Sequence, residues 1–403
     1  MKKELATKVK ERLRAIYADS QKEEKAFRLL SEKLSVYEED SSGGEVFSER
    51  DSILITYGDT IVDGAECGLR VLSKFLKEFV RDSIGNVHLL PMYPYTSDDG
   101  FSVTDYRQIN PELGSWEDVE NLSAEYGLMF DAVINHISKS SDWFQGFLKG
   151  ESPYRDYFIT CDPKADYSAV TRPRALPLLT EFETSEGVKH VWTTFSEDQI
   201  DLNYGCPELL AQIADLLLMY AQKGARYIRL DAVGFMWKEL GTTCMHLPQT
   251  HEIIKLIKDI FRVYSPKTRI ITETNVPHED NISYFGTDGD EADLVYQFPL
   301  PPLVMSAWKI SQKKALTVIS WLPLSDWMKT LQLPSDKVTY FNFLSSHDGI
   351  GVRPVEGLLS KEELQLLVDT ALKNGGEVSY KDNGDGTKSP YELNINYQDA
   401  LAG

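Results

Sequence analysis

The stretch Arg226-Tyr-Ile-Arg-Leu-Asp231 decides the fold class of this chain, because it is a short apolar run that ends on a carboxylate. The same design returns in Arg269-Ile-Ile-Thr-Glu273, and a helix-period segment at 249–264 separates the two. Parallel strands with acidic residues at their carboxyl ends, alternating with amphipathic helices, are typical of (β/α) barrels. The pattern therefore predicts a parallel barrel with a site at the carboxyl ends of its strands.

Short β-rich runs alternate with longer helical stretches such as 207–222 over most of the chain. Seven such runs predict seven strands of a (β/α)8 TIM barrel, and an eighth is missing. After the seventh run come a helix at 360–372 and a polar, Gly/Asp-rich stretch at 375–386. We therefore expect the sequence to be a piece of a longer protein. The predicted strands are 52–57, 86–90, 128–134, 226–231, 269–273, 293–298 and 338–344.

Two segments depart from the barrel rhythm. Residues 1–50 form a predicted N-terminal helical extension, with an amphipathic helical stretch over about 4–38 that braces the body. Residues 137–200 are rich in Pro, Tyr and Asp, and form a predicted insertion domain after strand 3. The barrel itself would then comprise 51–136 and 201–403.

Composition limits the partners. The 403 residues include 42 Lys and Arg against 62 Asp and Glu, a net charge of -20, so the average surface repels nucleic acid and anionic membranes. Four well-separated cysteines, without a C-x-x-C pair, predict reduced thiols in a cytoplasmic protein. The charged start and the lack of an eighteen-residue apolar run argue against secretion and membrane spanning.

Two acidic residues are placed to act on one bond. Arg229 and Asp231 face the same side of a strand, and the guanidinium can hold the carboxylate ionised, as a nucleophile requires. Glu273 would feel that like charge, which raises its pKa and suits a general acid. The alternatives are a structural Arg–Asp pair and a capping glutamate. Two carboxyl groups in these roles suffice to cleave a glycosidic bond with retention.

Histidines follow two other predicted strands, in Asp131-Ala-Val-Ile-Asn135-His136 and in His347-Asp348. Each alone is weak, since a rim histidine is more often structural, but four polar strand ends together favour a site. His246 and His251 lack the i+4 partner of a zinc motif. We predict no metal and no organic cofactor.

Taken in order, these motifs resemble the four short regions of the α-amylase superfamily. Four stretches within the chain resemble the sucrose phosphorylase subfamily, and the resemblance covers about residues 52–400. Four features are most similar to glucosylglycerate phosphorylases: the helical extension, Arg172–Phe182, Thr272-Glu-Thr-Asn-Val-Pro-His278 and Ser389-Pro-Tyr-Glu-Leu-Asn394. The four subfamily stretches are Gly100-Phe-Ser-Val-Thr-Asp-Tyr106, Arg172-Pro-Arg-Ala-Leu-Pro177, Arg229-Leu-Asp-Ala-Val-Gly234 and Ser346-His-Asp-Gly-Ile-Gly-Val352.

The resemblance implies a retaining phosphorylase that transfers a glucosyl group from an α-glucoside to inorganic phosphate. The α-glucoside that it implies before others is 2-O-α-glucosylglycerate. It implies Asp231 as nucleophile, Glu273 as acid/base and Asp348 as transition-state stabiliser. Phe235 departs from the tyrosine of sucrose phosphorylases, and the family's eighth strand and C-terminal β domain would lie past Gly403. The implied ring-binding residues are Asp105, His136, Arg229 and His347, and those facing acceptor or phosphate are Gln199 and Arg174.

Alternatives remain open at this point. Sucrose or sucrose 6′-phosphate phosphorylase differs only in its acceptor contacts, and an α-glucosidase would release free glucose. A non-catalytic amylase-like binding protein should have lost one of the three carboxylates, all of which stand here. Arg174 has a structural alternative as a salt bridge that braces the insertion. The oligomeric state is open, with a homodimer as one option.

Overall fold

The computed structural model describes residues 1–44, 47–48, 51–174, 176–313, 322–382 and 387–402. The chain forms two compact units, the first made of Met1–Glu273 with Asp290–Asp293 and the second of Thr274–Gly289 with Leu294–Gly403. The predicted boundaries at residues 50, 136 and 200 all fall inside the first unit and stay predictions.

The first unit contains seventeen α-helices and β-strands among its described residues. In chain order they are α1 (Lys3–Tyr17), α2 (Ser20–Leu34), β1 (Ile53–Thr56), α3 (Gly68–Phe75), β2 (Asn86–Leu89), α4 (Trp116–Ser123), β3 (Gly127–Ala132), β4 (His136–Ser138), α5 (Asp142–Leu148), β5 (Thr160–Cys161), β6 (Leu179–Thr184), β7 (Gly187–Trp192), β8 (Gln199–Asp201), α6 (Pro207–Gln222), β9 (Ala225–Leu230), α7 (Pro248–Tyr264) and β10 (Arg269–Thr272).

Five of these strands pair in parallel, in the order β1-β2-β3-β9-β10. They are short apolar runs, and β2 is buried at every position, as expected for a parallel sheet covered on both faces. The helices between them begin where the sequence favours it: α6 and α7 each start on a proline, whose fixed φ suits the first helical turn. The five predicted strands of this unit and its predicted helices at 207–222 and 249–264 are confirmed, with ends shifted by at most two residues.

The N-terminal segment forms two helices rather than one continuous stretch. Ala18 adopts a left-handed conformation and Asp19 caps α2 by accepting hydrogen bonds from two backbone amides. Helix α1 packs on α7 and α2 packs on α6. The Arg12 guanidinium lies 3.1 Å from the buried Asp259 carboxylate and 3.2 Å from Glu252. The extension is therefore fixed to the barrel helices by apolar packing and by ion pairs.

The predicted insertion carries short antiparallel pairings in place of a helix–strand unit. Strand β4 pairs with β8, and β5, β7 and β6 form a separate three-stranded sheet. Trp192 is buried in a small cluster with Val170, Leu178 and Cys244 beneath that sheet. The pairing of β4 with β8 brings the side chains of His136, the first residue of β4, and Gln199, the first residue of β8, together.

The second unit contains two parallel strands, an antiparallel sheet and five helices among its described residues. They are α8 (His278–Ile282), β11 (Leu294–Tyr296), α9 (Leu300–Lys313), α10 (Leu322–Thr330), β12 (Thr339–Phe341), β13 (Ile350–Gly351), α11 (Lys361–Lys373), β14 (Glu377–Asp382), β15 (Lys388–Asn394) and α12 (Tyr397–Leu401).

Strands β11 and β12 pair in parallel and complete the seven predicted strands. The predicted helix at 360–372 is α11, which a Ser360–Glu363 capping box begins. Within the polar, Gly/Asp-rich stretch at 375–386, residues 377–382 form β14 against β15, and 383–386 lie outside the described residues. Beyond β12, the described residues form antiparallel strands and helices, and no eighth parallel strand is among them.

All four cysteines are free thiols in this structure, and Cys206 and Cys244 are buried. Within the described ranges, no helix combines the length and the hydropathy that a bilayer span requires.

Candidate active site

Strand β9 ends in an ion-paired carboxylate. Arg229 is 2% exposed, and its Nη1 donates to Asp231 Oδ1 at 2.9 Å. The same Nη1 donates to the buried carboxylate of Asp131, which lies directly opposite Arg229 in the pairing of β3 with β9. The predicted Arg229–Asp231 pair is therefore present, and a second aspartate shares the guanidinium.

Glu273, the residue after β10, comes to the same guanidinium. Its Oε2 lies 4.0 Å from Arg229 Nη2 and accepts a hydrogen bond of 3.1 Å from the backbone N–H of Ala232. Ala232 follows Asp231 directly and has φ 47°, in the left-handed region that non-glycine residues rarely adopt. Such strain is often found at functional sites. One cation and one backbone turn thus hold both carboxyl groups.

Burial raises the pKa of Asp231 above its ordinary value, because a carboxylate removed from water loses hydration. The Arg229 guanidinium and the His136 imidazole oppose this shift, and the Asp131 carboxylate adds to it. The sequence argument expected the guanidinium to keep Asp231 ionised. Arg229 does lower the pKa of Asp231, as expected, but burial raises that pKa by more.

His136 lies beside this centre with a defined set of partners. Its Nε2 lies 2.9 Å from the carbonyl oxygen of Phe101, which can only accept, and its Nδ1 lies 3.2 Å from the side-chain amide of Asn135. These contacts favour the tautomer with hydrogen on Nε2. The Phe101 ring in turn lies 5.7 Å from the Arg229 guanidinium. His136, Phe101 and Arg229 therefore form one packed group.

Asn135 is itself held by a buried lysine. Lys238 Nζ lies 3.0 Å from Asn135 Oδ1 and 2.6 Å from Asp201 Oδ2. Asp201 also accepts hydrogen bonds from the backbone and hydroxyl of Thr194. This satisfied network fixes Asn135 and hence the Nδ1 side of His136.

Gln199 and Arg174 meet at one carboxylate. Gln199 Nε2 donates to Asp98 Oδ2 at 2.8 Å, and Arg174 Nη2 lies 3.2 Å from the same oxygen. Gln199 is 1% exposed, whereas the Arg174 side chain is 44% exposed. The predicted acceptor-side residues are therefore adjacent, and Arg174 makes a salt bridge from the insertion to the loop after β2.

An aromatic ring joins the two groups. The Phe195 ring lies 5.3 Å from the His136 ring, 5.5 Å from the Phe235 ring and 5.7 Å from the Arg174 guanidinium. Phe235, where the resemblance expects tyrosine, thus contributes an apolar surface without a hydroxyl.

Asp105 makes its hydrogen bonds within its own loop, accepting from the Arg107 backbone at 2.8 Å and from Gln108 at 2.8 Å. The neighbouring Tyr106 hydroxyl donates to the carbonyl oxygens of Val133 and His136, which anchors the loop to the end of β3.

His347 and Asp348 belong to the second unit, in the loop between β12 and β13. His347 Nε2 lies 3.4 Å from Asp348 Oδ1, and the Asp348 side chain is 52% exposed. The structure thus brings Asp231, Glu273, Arg229, His136 and Gln199 into one neighbourhood of the first unit, and it pairs His347 with Asp348 in the second.

Sequence reasoning missed four residues that complete this picture: His88, Asp98, Phe195 and Lys238. Only His88 had a usable signal, because a histidine inside the apolar run Val87-His-Leu-Leu90 is out of place in a buried strand. Among the residues that the structure describes, no three His, Cys, Asp or Glu side chains are grouped as a metal site. His251 instead pairs with Glu291 at 2.8 Å.

Comparison with known proteins shows the family of this chain. The model of the α-amylase catalytic domain matches residues 72–367. A glucosylglycerate phosphorylase from Allomeiothermus silvanus is 52% identical over 88% of this chain and 62% of its own length. A sucrose phosphorylase from Streptococcus mutans is more distant, at 30% identity over 87% of this chain and 71% of its own.

Among solved structures, sucrose 6F-phosphate phosphorylase from Thermoanaerobacter thermosaccharolyticum superposes with a TM-score of 0.76. It is 26% identical, and the match covers 89% of this chain and 71% of that one. The chain spans about three fifths of the length of the glucosylglycerate phosphorylases that it matches. The predicted (β/α)8 fold class is confirmed, with part of the barrel represented here. By its sequence, its fold and its strand-end carboxylates, the chain belongs to the α-amylase family.

Proposed function

We propose that the protein carrying this chain is a retaining glycoside phosphorylase, which transfers glucosyl from 2-O-α-glucosylglycerate to inorganic phosphate and gives α-glucose 1-phosphate. The observation that carries the proposal is the shared guanidinium: Arg229 lies within 4.0 Å of both Asp231 and Glu273. Retaining enzymes need two carboxyl groups about 5–5.5 Å apart, and a common cation is compatible with that spacing. The 52% identity to a glucosylglycerate phosphorylase supports the choice of donor.

In the first step, the Asp231 carboxylate attacks the anomeric carbon while Glu273 gives its proton to the leaving glyceryl oxygen. The glycosidic bond breaks, and a β-glucosyl ester of Asp231 forms. Asp348 is the proposed transition-state stabiliser, and Asp105, His136, Arg229 and His347 are the proposed ring-binding residues.

In the second step, a phosphate oxygen attacks the same carbon from the side that glycerate has left. Glu273 takes the proton of the attacking phosphate, and the ester bond to Asp231 breaks, so the product keeps the α configuration. Both residues are then back in their starting protonation states.

Phosphate must react with the glucosyl ester in preference to water. This preference requires cationic groups that bind phosphate and apolar side chains that exclude water. Arg174 is the proposed phosphate ligand, since a guanidinium matches phosphate oxygens, and Gln199 supplies a second donor. The Phe195 and Phe235 rings, which contact each other, carry no polar group that could bind a water molecule. Because both donors contact Asp98, an incoming anion has to displace that carboxylate.

Sucrose or sucrose 6′-phosphate phosphorylase is the second candidate, favoured by the structural match to the latter. Incubating the full-length protein with α-glucose 1-phosphate and glycerate, fructose or fructose 6-phosphate separates these candidates. We expect phosphate release with glycerate, and faster release with fructose or fructose 6-phosphate would overturn the assignment of the donor. Free glucose without phosphate dependence would instead point to an α-glucosidase.

The phosphate contact has its own test. Replacing Arg174 by alanine should slow phosphorolysis and raise the KM for phosphate. If the Arg174→Ala protein keeps the full rate and an unchanged phosphate dependence, Arg174 only braces the insertion.

The cellular compartment and the oligomeric state are proposed together with this function. The four free thiols and the acidic surface support action in the cytoplasm. A homodimer is the proposed assembly, which sedimentation of the full-length protein would test.

A further inference from the structure

A buried chain of polar groups runs across three neighbouring strands. His88 on β2 contacts Asp131 on β3, with 2.7 Å between Nε2 and Oδ2. Asp131 uses its other oxygen, Oδ1, to accept from Arg229 Nη1 on β9. His88, Asp131 and Arg229 are 1%, 0% and 2% exposed. The chain therefore links a residue outside the proposed machinery to the cation that holds both reacting carboxyl groups.

His88 is unfavourable where it stands. Its neighbours in the strand, Val87 and Leu89, are fully buried apolar side chains, and an apolar residue at position 88 would suit the strand better. Within the described part of the chain, the buried Nδ1 of His88 has no hydrogen-bond partner. A buried polar atom without a hydrogen-bond partner destabilises the folded state. His88 therefore does not contribute to stability in the way its neighbours do, and its one hydrogen bond is the contact that needs an explanation.

That contact controls how Asp131 uses its charge. The Asp131 carboxylate is buried, and it competes with Asp231 for the same Arg229 nitrogen. When His88 donates to one Asp131 oxygen, less of the negative charge of Asp131 falls on the guanidinium, and more of the Arg229 charge is left for Asp231 and Glu273. The hydrogen bond from His88 also fixes the rotation of the Asp131 carboxyl group. The backbone carbonyl oxygen of Asp131 accepts a hydrogen bond of 3.1 Å from the Tyr93 hydroxyl.

We propose that His88 is a positioning residue of the catalytic centre, which holds the Arg229 guanidinium towards Asp231 and Glu273 by binding the far oxygen of Asp131. The proposal rests on the proposed roles of Asp231 and Glu273, and it does not depend on which acceptor is used.

The test measures steady-state fluoride release from α-glucosyl fluoride by the full-length protein at saturating phosphate. Fluoride leaves in place of glycerate when Asp231 attacks, and phosphate then takes the glucosyl group from Asp231, which frees the carboxylate for the next turnover. Leucine at position 88 removes the hydrogen bond at similar volume. We expect His88→Leu to lower kcat about 30-fold, a loss typical when a group that orients a functional residue is removed, with KM within about threefold. An unchanged kcat per folded molecule would overturn the proposal.

Two conservative variants guard against a folding defect in His88→Leu. Glutamine can place its amide nitrogen near the position of Nε2, whereas asparagine reaches only towards Nδ1. We expect His88→Gln to recover kcat to within about threefold of the unmodified protein, and His88→Asn to stay low. Equal kcat values for His88→Gln and His88→Asn would contradict the proposal. If the role of His88 were purely structural, kcat would instead vary with the melting temperatures of the variants.

The matched control is His251→Asn on helix α7, which breaks another histidine–carboxylate pair, in which the His251 side chain is 17% exposed and the Glu291 side chain 3%. It should lower stability and leave kcat unchanged. If the unmodified protein releases no fluoride, the proposed function fails; if it does so and His88→Leu matches it, only the role of His88 fails.

Discussion

Replacing Asp98 by asparagine should tighten phosphate binding. Its carboxylate holds Arg174 at 3.2 Å and Gln199 at 2.8 Å, the two donors proposed for phosphate. An anion that binds there has to displace Asp98 first, so the enzyme's own carboxylate competes with its substrate.

The size of the effect follows from exposure. The Arg174 and Asp98 side chains are 44% and 34% exposed, and ion pairs this open contribute about 1 kcal/mol at most. Asparagine keeps a carbonyl oxygen for Gln199, so mainly the charge is lost. About 1 kcal/mol corresponds to roughly a fivefold lower KM for phosphate. Asparagine also tolerates the left-handed backbone at this position, where φ is 55°.

Steady-state phosphorolysis with a phosphate titration measures this change. The control is Asp99→Asn, because Asp99 is the adjacent acid with φ 49° and should leave the KM for phosphate unaltered. A KM for phosphate that stays the same or rises in Asp98→Asn refutes the competition. A fall of the same size in both variants would mean that only the general field of the loop has changed.

Three further predictions concern charge. Asp231→Asn should lose turnover by about 10⁴-fold or more. It should also melt at a higher temperature at neutral pH, because a carboxyl whose folded pKa is raised loses stability as pH rises through that pKa; a lower melting temperature would contradict this. For the same reason kcat/KM should begin to fall on acidification at a higher pH than an ordinary aspartate near 3.9 gives, and a pH–rate profile flat down to that value argues against Asp231 as nucleophile. Arg12→Ala should lower the free energy of unfolding by about 1–2 kcal/mol in urea titrations, with kcat per folded molecule unchanged, because among the described residues Asp259 then keeps Lys8 and Arg262 as its ion-pair partners.

The strands could be predicted because parallel strands are buried on both faces and read as apolar runs. Period-two alternation was also enough to place Arg229 beside Asp231. The helical segment at 4–38 was harder to divide, since Asp19 and Ala18 interrupt an otherwise continuous apolar pattern. The hairpin of β14 and β15 was missed because its polar composition resembles a loop.

Contacts between distant segments set the rest of the site. Asp98 and Arg174 are 76 residues apart, and no local pattern announces their pairing. Burial of Asp231, which decides the direction of its pKa shift, likewise depends on packing that a sequence does not display. The contact of His88 with Asp131 exists only because β2 and β3 are neighbours in the sheet.

The backbone turn at Ala232 has a consequence for how this site can change. Its N–H is fixed to the Glu273 side chain, and the residue before it is Asp231, so main-chain geometry rather than rotamer choice sets the gap between the two acids. Substitutions elsewhere around the active site can then change which leaving group fits, while the distance between Asp231 and Glu273 is retained. New acceptor preferences should accordingly be easier to obtain by mutation than a switch from retention to inversion.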